Sequence, residues 1–444
     1  MFIESQDDDR KTLFILENLG RLPKPFDGRW VFHLLKSDNK NIRLHAVKTL
    51  GKSGNVSGIE ALWHVAQHDE STDVRREAVS SLGRLRSIRA IDALAAMVSD
   101  VDPKVVSQAI RGLLVFKGDR RVDSLLTSLR DHENETIQDI IKRAYAPSQS
   151  ASHDRGRQRH AHSHTYLRNV VVLGDVRSVL EHIEDESFHL TFTSPPYYNA
   201  RDYALYASYK AYLSFLRDVF RATYDKTKEG RFLIVNTSPV IVPRVSRQHA
   251  SKRYPIPFDV HAILVGMGWE FIDDIIWVKP EASVKNRNAG FLQHRKPLAY
   301  KPNPRTEYVM VYRKRTDKLI DWNIKQYGRE VIQASKVRDG YETSNLWQID
   351  PTYDKVHSAV FPVALCERVI RYYSFAGDLV FDPFGGSGTF GRAAQALGRY
   401  FFLTEKDGRY FDYMKSSMAK DEQTFFAQGK TRFCDMAQFK KLVP

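Results

Sequence analysis

Two hydrophobic rhythms divide the chain. From Asn41 to about Ala146 the apolar residues return at helical spacing, and the pattern itself recurs. "NIRLHAVKTLGKSG" begins at Asn41, "DVRREAVSSLGRLR" at Asp73, "KVVSQAIRGLLVFKG" at Lys104 and a fainter "ETIQDIIKRAYA" at Glu135. Ala46, Ala78 and Ala109 stand about 32 residues apart, as do Ile42, Val74, Val105 and Ile137. Second apolar stretches such as "GIEALWHVAQ" and "AIDALAAMV" lie between them, so each copy predicts two helices. Asp73 and Pro103 read as helix starts, and the glycines after the first helices as stops. From Asn169 the rhythm changes. "NVVVLGD", "FHLTFTS", "RFLIVNTS", "FIDDIIWVK", "EYVMVYRK", "LVFDPFGG" and "RYFFLTEKD" read as strands with helical stretches between most of them. That alternation predicts a mostly parallel, seven-stranded sheet covered by helices on both faces. The runs around Ile276 and Val309 lack a clear helix between them and predict an antiparallel edge hairpin.

The first rhythm resembles the short form of HEAT repeats. The resemblance implies an all-α solenoid over residues 1–146, with one continuous core and a long curved face. Small alanines at the helix crossings would let neighbouring helices approach closely. The stretch "PSQSASHDRGRQRHAHSHTY" is rich in Ser, Arg and His and poor in apolar residues. Residues 147–168 therefore read as a basic linker before a second domain over 169–444. His160, His162 and His164 alternate there without a cysteine or carboxylate framework, so solvated histidines are preferred to a metal site.

Composition narrows the function. At 444 residues the chain has room for two or three domains. Only Cys366 and Cys434 are present, which excludes a disulfide framework and a cysteine zinc site. No run approaches the roughly 20 apolar residues that a membrane helix needs, so no membrane partner is expected. "MFIESQDDDRKTLF" lacks a signal-peptide core, and the expected location is the cytoplasm. A net charge of +14 points to a polyanion, nucleic acid first, with a basic soluble enzyme as the plain alternative.

"LVFDPFGGSGTFGRAAQALG" places Asp382 at a strand end, before a glycine loop and a helix start that offers amide hydrogens to an anion. The next strand ends in Glu405, about 20 residues on, where an acid suits the hydroxyls of a ribose. No lysine follows the glycines in Walker fashion, which disfavours ATP. In "TFTSPPYYN", two successive prolines stiffen the loop after a strand and remove two amide donors. Free carbonyls, Ser194 and the ring of Tyr197 make a site of acceptors beside an aromatic face, suited to a planar group carrying an NH2. An ordinary proline turn with surface tyrosines is the structural alternative.

Together and in this order, "TSPPYYN", "IIWVKP", "HSAVFPVALCERVI" and "DPFGGSGTF" resemble the amino-methyltransferases of DNA, in the permuted arrangement called the beta class. The resemblance covers Asn169 to about Tyr413. It implies a Rossmann-like methyltransferase domain, S-adenosylmethionine as cofactor, double-stranded DNA as substrate and methyl transfer to an exocyclic base nitrogen. By resemblance, Ser194, Pro195, Pro196 and Tyr197 form the catalytic motif. Asp382, Phe384, Gly386 and Gly388 line the methionine end of the cofactor, Glu405 holds the ribose and Asp175 faces the adenine. His357 to Phe361 closes the pocket. Trp277 and Lys279 lie near the target base, with Asn199, Arg253, Arg287 and Arg295 as further base or DNA contacts. In the family, serine at the first motif position goes mainly with N4 of cytosine and aspartate mainly with N6 of adenine. The expectation is therefore an N4-cytosine enzyme of restriction-modification or epigenetic marking. N6-adenine methylation, an inactive DNA-binding scaffold and an RNA substrate are the rivals. The repeats would grip DNA or dock a partner such as a cognate nuclease.

Overall fold

The computed structural model describes residues 9–20, 28–145, 160–198, 206–242, 248, 251–284, 286, 289–300, 302–337, 340–353, 360–421 and 430–444. Its internal contacts fall into two units, Met1–Gln149 and Ser150–Pro444.

The first unit is helical. Helices Lys40–Ser53, Thr72–Leu85, Pro103–Leu113 and Glu135–Ala144 alternate with Ile59–His68, Ile91–Ala96 and Arg120–Ser128. Ala46, Ala78 and Ala109 are fully buried in one continuous core with Ile42, Val74, Val105 and Ile137. Two of the glycines expected to stop helices lie inside them instead. A side chain at Gly51 would collide with Ser81, and one at Gly83 would fall 3.1 Å from the Gly112 Cα. These small residues set how closely consecutive repeats stack. Gly54, left-handed at φ 72°, ends the first of these helices. Arginines at equivalent repeat positions clamp the layers together. Arg43 donates to both oxygens of Asp69 (2.8 and 3.1 Å), and Arg75 does the same to Asp100 (2.9 and 3.2 Å).

The second unit is built on β1 (Val170–Leu173), β2 (Phe188–Thr193), β3 (Thr227–Thr237), β4 (Val240–Val242), β5 (Lys252–Tyr254), β6 (Trp269–Val278), β7 (Thr306–Lys314), β8 (Leu346–Gln348), β9 (Leu379–Asp382), β10 (Tyr400–Glu405) and β11 (Arg432–Asp435). Among the described residues, nine of them form one sheet ordered β11-β1-β10-β9-β2-β3-β7-β6-β8, and β4 pairs with β5. The six strands from β11 to β3 are parallel, β7 runs against both β3 and β6, and β8 is parallel to β6. The short strands β11 and β8 extend the seven expected strands at the two edges. The central strands β2 and β9 are buried along their whole length, since helices cover both faces. No helix among the described residues is long and apolar enough to cross a membrane.

A buried polar network ties the strand starts together. The Asp378 carboxylate pairs with Arg231 and accepts from the Tyr327 hydroxyl (2.6 Å), while Arg231 donates to Tyr327 (2.9 Å) and to the His189 carbonyl (3.0 Å). The Leu379 N–H donates to His189 Nδ1 (3.0 Å), so Nε2 carries the proton toward the His160 carbonyl (2.9 Å). Asn323 donates to His160 Nε2 at 3.1 Å. His160 is 7% exposed. The linker expectation therefore fails for residues 160–168, because this histidine anchors the entry to the second unit. Residues 146–159 lie outside the described residues.

Burial pulls His160 down to about 3 and His189 well below its ordinary value. Both must stay neutral in the fold, so the unfolded chain binds more protons below pH ~6.5. Stability present above that pH is expected to fall steadily as pH drops toward 3, by up to roughly 2.7 kcal/mol per pH unit for two histidines. Urea midpoints across that window check this. His160→Gln should shallow the dependence, and an unchanged slope would remove the histidine from the account.

Candidate functional site

The carboxyl ends of β1, β10, β9 and β2 open onto one cavity of about 650 Å³. Its wall includes Ser194, Pro195, Pro196 and Tyr197 from the loop after β2, and Asp382 to Ser387 from the loop after β9. These segments are some 190 residues apart in the chain, yet they are bonded to each other. Thr193 Oγ1 donates to Asp382 Oδ1 at 2.7 Å, and the same oxygen accepts the Phe384 N–H at 3.0 Å. Asp382 is 2% exposed, and no lysine, arginine or histidine pairs with it among the described residues. Burial pushes its carboxyl up to about 7, against those two hydrogen bonds and with a small addition from Glu405.

Glu405 braces the glycine turn. Its Oε2 accepts the Gly386 N–H and its Oε1 the Asp407 N–H, each at 2.8 Å, and burial raises its carboxyl. Gly386 is left-handed at φ 53° and faces the cavity. Gly388 does not line it. With φ 75° it caps the helix Thr389–Ala396, and a Cβ there would fall 2.6 Å from Met414 Cγ. The expected cofactor contact is thus a packing position. Gly388→Ala should cost about 2 kcal/mol through strain and overpacking, read as a lowered urea midpoint. An unchanged midpoint would refute that packing role.

Asp175 lines the cavity but is occupied. It caps the helix Val176–Leu180 and accepts from Arg177 Nε and Nη2, both at 3.0 Å, which holds its carboxyl at about 2. Phe361 stacks on Phe192 (centroids 4.5 Å apart), and Phe384 packs against Phe215 (6.0 Å); Phe361, Phe384 and Phe215 reach the cavity.

The half-buried Tyr197 donates its hydroxyl to Glu307 Oε2 at 2.9 Å, and Asn236 Nδ2 donates to the same oxygen at 2.7 Å. Lys279 pairs with Glu307 and lies over the Trp277 ring, 4.5 Å from its centroid. The Ser194 and Ser238 hydroxyls are within hydrogen-bonding reach of the same phenol. Burial, then the Glu307 charge, lifts the phenol well above its ordinary value, so it stays a neutral donor.

Not every expected residue joins this site. Trp277 is 4% exposed in the core and donates its indole N–H to the Ile349 carbonyl at 2.8 Å, which leaves it no face for a base. Arg253 on β5 and Arg295 are exposed and do not line the cavity. Asn199, Arg287 and His357 lie outside the described residues. Glu307, Asn236, Tyr206, Phe215 and Tyr410 were missed. In "RTEYVMVY" the acid reads as ordinary strand-end charge, and only the sheet order brings it under Tyr197.

A family model described as DNA methylase, of the N6/N4 methyltransferase type, matches residues 188–416. HEAT-repeat models match 4–83 and 59–146. The chain is 26% identical over 230 residues to the type II beta methyltransferase M.BslI of Bacillus sp. (strain NEB-606), covering 49% of this chain and 24% of that protein. It is 28% identical over 284 residues to the type II methyltransferase M.SmaI of Serratia marcescens, covering 56% of this chain and 89% of that protein. Among solved structures, a DNA modification methylase from Thermus thermophilus, complexed with S-adenosyl-L-methionine, is 26% identical with a TM-score of 0.49, covering 60% of this chain and 98% of that one. The chain spans about a quarter and a third of the first two curated relatives it matches. The matched span begins at β2 and runs through the glycine loop to the helix beyond β10, so it takes in both loops that meet at the cavity, and with just over half its residues covered the chain belongs to the N6/N4 family of DNA methylases.

Proposed function

We propose that the chain transfers the methyl group of S-adenosylmethionine to the exocyclic N4 of a cytosine turned out of duplex DNA. The observation that carries this reading is the meeting of Ser194–Tyr197 and Asp382–Ser387 at one cavity, joined by the Thr193–Asp382 hydrogen bond.

The residues fit the methyl donor. Asp382 is a buried carboxyl without a cationic partner among the described residues, suited to an ammonium group. Gly386 leaves room for an extended chain, Phe361 and Phe384 give apolar walls, and Glu405 and Asp175 are acids suited to ribose hydroxyls and an adenine amine. Bound there, the cofactor supplies an electrophilic methyl carbon.

The protein's own part is alignment. An aromatic NH2 is a poor nucleophile because its lone pair is delocalised into the ring. Hydrogen bonds from that NH2 to Ser194 Oγ and the Pro195 carbonyl would favour a tetrahedral nitrogen with a free lone pair. As the N–C bond replaces the donor's S–C bond, a neutral thioether would leave and the surplus N–H proton would pass by way of the Ser194 hydroxyl to solvent. The paired prolines hold both acceptors in place, so little reorganisation accompanies the reaction. The Tyr197 ring is placed to stack on the base while its hydroxyl stays tied to Glu307. The catalytic motif precedes the glycine loop in the chain, which supports the permuted arrangement.

Serine rather than aspartate at position 194 favours cytosine on the family's pattern, although either acceptor serves an NH2 chemically. Mass spectrometry of nucleosides from duplex DNA treated with the protein and cofactor tests the reading. N4-methyldeoxycytidine is expected. N6-methyldeoxyadenosine would overturn the base assignment alone, and no methylated base would overturn the activity.

A further inference from the structure

A second cavity, of about 690 Å³, lies on the helical unit. It crosses the helices Lys40–Ser53, Thr72–Leu85 and Pro103–Leu113 near their carboxyl ends. Lys52, Arg84, Arg86 and Arg111 line it, with Ser80 and Gln108 as further polar groups and no carboxylate in the wall among the described residues. Lys52, Arg86 and Arg111 are exposed and make no ion pair among the described residues. Arg84 alone is engaged, donating to Glu77 (2.6 Å) and Ser80 (3.0 Å).

Acids and bases nearly balance over residues 1–149, so this concentration of cations is a matter of placement. Three of the unit's ion-paired acids, Asp69, Asp73 and Asp100, lie at or just before helix amino ends. Cations in a last helical turn also suit the helix dipole, and for one helix that would suffice as an explanation. It does not account for a shared concave wall over three helices. Its floor is made of small residues, Gly51, Ser80, Gly83 and Gly112. The glycines are fixed by repeat stacking, so the floor stays low and a bulky chain can approach the flanking cations.

We propose that this groove holds the sugar–phosphate backbone of DNA. A row of flexible cations over a smooth polar floor reads charge and not sequence. An acidic peptide would need side-chain pockets, and among the described residues of the wall Val115 is the one large apolar side chain. The choice of DNA rests on the proposed function; the charge argument stands without it.

The test uses the full chain with Lys52→Gln, Arg86→Gln and Arg111→Gln combined, and Arg111→Gln alone as a milder variant. Binding of a mixed-sequence 30-base-pair duplex is followed by anisotropy across a salt series, with cofactor affinity measured in the same samples. The triple variant is expected to lose about tenfold or more in duplex affinity at 0.15 M salt, and its log–log salt slope should shrink by about 2 to 3. Arg111→Gln should shrink it by about 1, with cofactor affinity unchanged for both. An unchanged slope and affinity would overturn the proposal. So would unchanged duplex binding with loss of binding to polyglutamate, which would assign the groove to an acidic protein. If the parent chain binds no cofactor and the duplex effect persists, the proposed function fails and the groove stands.

Discussion

Alanine at Ser194 is expected to slow methyl transfer by ~10²–10³-fold while changing cofactor affinity by less than about threefold. The serine lies on the cavity wall, in a loop stiffened by Pro195 and Pro196, and removing its hydroxyl takes away one of two acceptors for the target NH2. The remaining Pro195 carbonyl can hold the amine but cannot alone impose the tetrahedral geometry. The loss should therefore fall on the chemical step. Asp382 and Glu405, which line the part of the cavity proposed for the cofactor, are untouched by the change. Single-turnover transfer from labelled cofactor gives the rate, and calorimetry gives the affinity. Equal damage to both would show that Ser194 acts by shaping the pocket, and the proposed role would fail.

The second large effect has opposite signs in two measurements. Asp382→Asn should weaken cofactor binding by roughly 10–100-fold, because a buried charge pair is lost, and should stabilise the free protein. The carboxyl titrates near 7 in the fold, against 3.8 for an ordinary aspartate. A folded value above the unfolded one means that the stability tied to this group is complete below about pH 4. That stability is lost as pH rises through 7. At pH 8 the ionised, unpartnered carboxylate costs roughly 2–4 kcal/mol. Asparagine removes the charge, so its melting temperature should exceed the parent's at pH 8, with the gap narrowing as pH falls and closing only near pH 4. The cofactor's ammonium needs the carboxylate, so parental affinity should rise between pH 6 and 7.5 with proton release. In the variant that acid limb should be absent. A variant less stable at pH 8, or one retaining the acid limb, would refute the assignment.

The architecture was legible because burial demands periodicity. Seven apolar runs became strands, and the repeated alanines became the helical core. What escaped was whatever depends on neighbours distant in sequence. Strand β8 is three residues long, and β11 carries only Phe433 and Cys434 between charged ends, so neither shows an apolar run. His160 reads as one of three solvated histidines until Asn323 and His189 close around it. The glycines at 51 and 83 resemble helix stops, and only the adjoining repeat reveals them as contact points. At the site, the paired prolines after β2 and the glycines after β9 mark their loops in the chain itself, and both loops line the cavity. Glu307 could not be, since the antiparallel β7 carries it to Tyr197. Trp277 sits in a recognisable motif, yet its ring belongs to the core.

The bond between Thr193 and Asp382 also sets a timetable. The strands it joins are neighbours in the sheet but are synthesised far apart, and β1 must wait for β11, which follows the other ten strands among the described residues. A growing polypeptide therefore has no half-assembled reaction centre while most of the unit is still being translated. Chains cut short before β9 would lack one wall of the cavity, whatever they retain of the earlier loop. On the proposed function, methyl transfer would begin only once β9 and β10 have emerged.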